Sequence, residues 1–110
     1  MLEIRLVDRV EDGRAIETEY EVGCYEVEER KYKDTDHVIL RVRLKSEYEF
    51  GEESYMPSIY YASPKDEGKG KFEIQTTAYG YLEPEKIHKV IAGYQTALET
   101  VAVLEKAFLK

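Results

Sequence analysis

The chain has 110 residues, 43% hydrophobic and 35% charged, with 23 acids against 16 bases and a formal net charge of −7. One domain over 1–110 accounts for that length, and the apolar fraction is too high for a disordered chain. A mean hydropathy of −0.55 and the lack of any apolar run near the ~20 residues of a bilayer span exclude a membrane helix.

The first alternation covers residues 2–7, where Leu2, Ile4 and Leu6 are interleaved with Glu3 and Arg5; it predicts a half-buried strand. Glu11-Asp12-Gly13-Arg14 is a turn signal, because Asp-Gly tolerates positive φ. Ile16, Thr18, Tyr20 and Val22 then alternate with Glu17, Glu19 and Glu21, giving a second strand with an acidic outer face. Parity flips after Gly23, which predicts a bulge or bend in one long strand reaching about Glu28. Arg30 to Asp36 reads as a loop. Val38, Leu40, Val42 and Leu44 alternate with Arg41, Arg43 and Lys45; this third strand either runs on through Tyr48 and Phe50 or turns at Ser46. If it lies antiparallel beside the second strand, Glu–Arg pairs sit side by side. Tyr55 to Ala62 is an aromatic strand with Pro57 near its start, Ser63 to Gly70 a loop, and Phe72 to Thr77 the last strand.

The hydrophobic period then changes from two to 3.6. Pro84 suits the first helical turn, with Glu83 and Glu85 at the positive end of the dipole. Ile87, Val90, Ile91, Tyr94, Leu98, Val101, Leu104 and Phe108 predict one amphipathic helix over about 84–109, with Leu98 central in its buried stripe. Twenty-six residues span about 39 Å, so one end is expected to overhang a small sheet, leaving Val103, Phe108 and Leu109 free to support a homodimer. The fold class expected is α+β: an antiparallel sheet of four or five strands with one long C-terminal helix packed on one face.

Catalytic signatures are missing. The one cysteine, Cys24, excludes an intrachain disulfide and a cysteine zinc cluster, and it reads as a packing residue in a strand. His88 falls off the helix's apolar stripe. Asp34-Thr35-Asp36-His37 is the one compact group of possible metal ligands, without further ligands at useful spacing, and it reads as a turn. Gly68-Lys69-Gly70 lacks the strand–loop–helix context of a phosphate loop. No nucleophile motif is present, so no enzyme, metal or cofactor is expected.

Charge placement is the positive signal. Residues 11–53 hold 14 acids and 7 bases, while the rest of the chain is balanced. A field of this sign attracts basic partners and repels nucleic-acid phosphates and anionic lipid. The first cluster is Glu17, Glu19 and Glu21. The second is Glu47, Glu49, Glu52 and Glu53, with no base among them and with Tyr48 and Tyr55 as anchors; it carries the greater weight because no cross-strand arginine answers it. Ten tyrosines could also stack single-stranded bases, but that reading needs Lys65, Lys69 and Lys71 to line one groove.

Lys71-Phe72-Glu73-Ile74-Gln75-Thr76-Thr77-Ala78-Tyr79-Gly80, with Leu82-Glu83-Pro84-Glu85 and Gly93-Tyr94-Gln95-Thr96-Ala97-Leu98, resembles the end of small uncharacterised prophage accessory proteins of Gram-positive bacteria. The resemblance covers the last third of the chain. It implies a phage origin and a short, non-enzymatic protein in the host cytoplasm, a location that the absence of a signal pattern at Met1-Leu2-Glu3-Ile4-Arg5 also predicts. It supplies no functional residues. The function expected is therefore a non-enzymatic acidic binding protein that engages a basic protein surface. Its sharpest form is a phage inhibitor of a host nuclease or other nucleic-acid-binding defence complex, acting by charge mimicry. Alternate carboxylates on a strand stand ~6.6–6.8 Å apart, close to the phosphate spacing of a single strand. The alternatives are a structural or assembly subunit that oligomerises through the helix or a sheet edge, and a single-stranded nucleic-acid binder.

Overall fold

The computed structural model describes residues 2–35, 37–49, 55–64 and 70–109, the side chain of Glu49 excepted. Among them the elements run β1 (Arg5–Glu11), β2 (Ala15–Val22), β3 (Tyr25–Tyr32), β4 (Val38–Leu44), α1 (Ser46–Glu49), β5 (Ile59–Ala62), β6 (Lys71–Ile74) and α2 (Pro84–Phe108). β1 to β4 form a four-stranded antiparallel meander in chain order, and β5–β6 form a separate antiparallel ribbon. The fold is α+β, with one long C-terminal helix.

The expected long second strand is two strands. Val22 pairs with Tyr25 across a two-residue hairpin loop, Gly23-Cys24. Gly23 has φ +56° and no non-glycine residue among the described residues has positive φ, the pattern of a II′ turn with glycine at its first central position. The parity flip at Gly23 was therefore a chain reversal, because a two-residue loop exchanges which residues face the core. β3 continues to Tyr32, where a loop was expected. The ladder of β1 begins at Arg5 and runs to Glu11, and every residue of that strand is exposed. Its register shifts between Leu6 and Asp8, a β-bulge at the sheet edge. After β4 the chain coils into α1, so Tyr48 does not extend the strand; Phe50 lies outside the described residues.

Val22, Tyr25, Val27, Leu40, Ile59, Ala97 and Leu104 form the core, joining the meander, the ribbon and α2. Tyr25 is fully buried, and its hydroxyl donates to the Pro57 carbonyl, tying the meander to the segment before β5. Burial pushes its phenol pKa well above the ordinary value.

The helix faces the core differently from the expectation. Its buried residues are Gly93, Ala97, Thr100 and Leu104. A β-carbon at Gly93 would collide with the Tyr55 carbonyl oxygen, so this glycine lets the helix axis approach the backbone before β5. Thr100 is buried because its hydroxyl donates to the Thr96 carbonyl at 2.8 Å. Leu98, expected at the centre of the buried stripe, is 61% exposed. The C-terminal end does not overhang: Val103 and Phe108 pack against the core, and the Phe108 ring meets Tyr20 edge-on at 5.5 Å. The exposed apolar side chains lie towards the other end, at Ile87 and Ile91.

Candidate protein-binding surface

The face of the meander turned away from α2 is built by strand parity. On β2 the even residues Thr18, Tyr20 and Val22 turn to the core side, which sends Glu17, Glu19 and Glu21 outwards. The tight Gly23-Cys24 turn then sets Glu26 and Glu28 of β3 directly beside them. Three rows cross the sheet: Arg5–Glu21–Glu26–Arg43, Asp8–Glu19–Glu28–Arg41, and Val10–Glu17–Arg30–Ile39. The carboxylates occupy the two central strands, with arginines mainly on the rim.

Most of these acids are answered. Glu21 accepts from Arg5 and lies 3.4 Å from Lys45. Arg5 chiefly, then Lys45, holds the Glu21 carboxyl below its ordinary pKa. Arg43 bonds Glu28 at 2.7 Å and lies 3.9 Å from Glu26. Arg30 lies 3.4 Å from Glu17. The expected Glu–Arg pairing with Arg43 is thus made by β3 rather than by Glu17, Glu19 and Glu21. Bases nearly match acids over the face, so it is a charge-patterned surface and not a uniformly negative one.

Glu19 is different. It has Asp8 on one side and Glu28 on the other, at cross-strand distances where like charges disfavour each other. It makes no ion pair among the described residues. Arg41, at the end of the same row, likewise makes none. Between them lies an open groove of about 290 Å³, lined by Glu17, Glu19, Glu28, Arg30, Ile39 and Arg41 together with backbone of the two central strands. Ile39 gives it an exposed apolar wall.

The second predicted cluster is less well placed. Glu47 is exposed on α1, and Glu49 follows on the same short helix. Glu52 and Glu53 lie outside the described residues, as do Asp36, Lys65 and Lys69 of the metal and nucleic-acid readings. Tyr48 sits against Cys24 of the β2–β3 turn, and a hydrogen bond with that thiol is the first cause raising its pKa. Tyr55 packs edge-on against Tyr79 at 5.3 Å while its carbonyl faces Gly93. Other tyrosines also have packing tasks: Tyr61 against Phe72, and Tyr32 beneath Arg30 and beside His37. The sequence reasoning missed Asp8, Glu26, Glu28, Ile39 and Arg41 as members of one surface. A two-residue reading of Gly23-Cys24 as a hairpin would have found Glu26 and Glu28.

Glu29 belongs to the opposite face. It is buried on the core side of β3, with the Tyr20 hydroxyl at 3.5 Å and Lys31 at 4.0 Å. Burial first, then Glu29, raises the Tyr20 pKa.

Among the described residues no three His, Cys, Asp or Glu side chains are grouped to hold a metal ion, and no helix is long and apolar enough to cross a membrane. No known family, no curated protein and no solved structure matches this chain.

Proposed function

We propose that the protein is a non-enzymatic binding module that receives a basic protein segment on the outer face of the β1–β4 meander. The observation that carries this is Glu19, a carboxylate with acids on both sides and no ion-pair partner among the described residues, at the rim of an open groove. A guanidinium or ammonium from a partner placed there relieves the repulsion among Asp8, Glu19 and Glu28 and gains charge-assisted hydrogen bonds. Arg41 supplies a second unpaired charge of opposite sign about two strand spacings, ~10 Å, away. A partner with a cation towards Glu19, an apolar contact on Ile39 and an acid towards Arg41 fits the pattern in one orientation. A phage origin and an inhibitory role against a host nucleic-acid complex draw support from the sequence resemblance and the acidic balance, and the interleaved arginines favour a protein segment over mimicry of a continuous phosphate chain.

The test is an NMR titration with a hexa-arginine peptide, with hexa-lysine and single-stranded oligonucleotide as comparisons. Shifts centred on Asp8, Glu19 and Glu28 that vanish in Glu19→Lys and fade as salt rises support the reading. Shifts spread over all acidic residues, or shifts with the oligonucleotide in place of the peptides, overturn it.

A further inference from the structure

An exposed apolar stripe lies on α2, away from the face that meets the core. At 100° per residue, Ile87, Ile91 and Leu98 fall within an arc of about 40°. They are 40%, 48% and 61% exposed. Ala102 continues the line, also exposed. Contiguous large apolar side chains on one exposed helical face mark an interaction site.

We propose that α2 pairs antiparallel with α2 of a second copy of this chain. The stripe is self-complementary in that direction. With the twofold axis beside Tyr94 and Gln95, Ile91 meets Leu98 of the second copy, and Leu98 meets its Ile91. Ile87 meets the small Ala102, a large side chain against a small one at both ends. One flank of the stripe carries His88, Gln95 and Glu99. In an antiparallel pair each flank faces its own copy, so His88 approaches Glu99 of the second copy twice over. An imidazole N–H donates to a carboxylate in either charge state. Neither His88 nor Glu99 has an ion-pair partner among the described residues. A parallel pair would set this flank against the opposite one, which carries Val90 and Val101, and would leave His88 and Glu99 without each other, so charge selects the antiparallel arrangement. The other exposed apolar segment, β1, carries Arg5, Asp8, Arg9 and Glu11 and a bulge, features that blunt an edge against pairing. The helix pairing uses none of the groove residues, so it stands or falls separately from the binding surface above.

Sedimentation equilibrium of the full chain tests it. The expected result is a concentration-dependent rise from 12.8 kDa to twice that mass by about 500 µM. Leu98→Glu, on an exposed position, should weaken association at least ~30-fold with an unchanged far-ultraviolet spectrum. Glu99→Lys should weaken it ~3- to 10-fold, and His88→Glu added to Glu99→Lys should restore it. A mass of 12.8 kDa at every concentration overturns the proposal and leaves the stripe to a different protein. So does a dimer indifferent to Leu98→Glu. A dimer broken by Leu98→Glu but not rescued by the charge exchange overturns the antiparallel register.

Discussion

Leu98 and Leu104 are both apolar residues of α2, and their surroundings separate them. Leu104 is fully buried and Leu98 is mostly exposed. Leu104→Ala should cost about 2–5 kcal/mol, since it removes atoms from a packed core and leaves a cavity. Leu98→Ala should cost under ~1 kcal/mol. Urea titration of the two variants checks this, and equal losses would contradict the burial. Among charged residues, Glu21 is held by two cations from two different segments, Arg5 and Lys45. Its carboxyl titrates lower in the folded chain than in the unfolded one. Its contribution is therefore complete above the ordinary carboxylate pKa of about 4.3 and is lost as pH falls through the folded value. Glu21→Gln should make the fall of Tm between pH 5 and pH 3 shallower than in the parent chain. Parallel melting curves across that range would show that the pair contributes nothing.

At the scale of elements, the meander was largely legible because strand parity repeats every two residues and the partner strands are neighbours in sequence. Val38–Leu44 matched its strand end to end for that reason. Gly23 was misread because a bulge and a two-residue hairpin both invert parity, and only pairing distinguishes them. The helix was legible as a helix but not in its orientation. Periodicity of large side chains pointed to Leu98, whereas the face that docks is small, Gly93, Ala97 and Thr100, because close approach needs little volume at the contact. Gly93→Ala makes this a measurement. Helix propensity alone predicts a gain of up to ~1 kcal/mol. Collision with the Tyr55 carbonyl predicts a loss of about 1–3 kcal/mol. A lower denaturation midpoint is expected, and a raised one would mean that the helix stands off the chain before β5.

At the scale of the whole molecule, the radius of gyration is 15.8 Å, against about 13 Å for a compact chain of this length, and the longest extent is 52 Å. Elongation accords with so many apolar side chains staying exposed: the buried residues of α2 begin only at Gly93. The candidate surface was legible only in part. Glu17, Glu19 and Glu21 share a face on parity alone. Their neutralisation by Arg5, Arg30 and Lys45, and the isolation of Glu19, depend on cross-strand register, which composition does not encode.

One helix serving two sheets has a dynamic consequence. A two-stranded ribbon is marginal by itself, and β5–β6 relies on β4, on α2 and on the tether from Tyr25 to Pro57. The ribbon is therefore expected to open as a cooperative unit at a free energy smaller than that of global unfolding. Amide hydrogens of β5 and β6 should exchange together with one common protection level. Amides of β2 and β3, held on both sides, should exchange only through complete unfolding. Uniform protection over both sheets would mean that the helix welds them into a single unit, and graded protection within the ribbon would mean that it frays residue by residue.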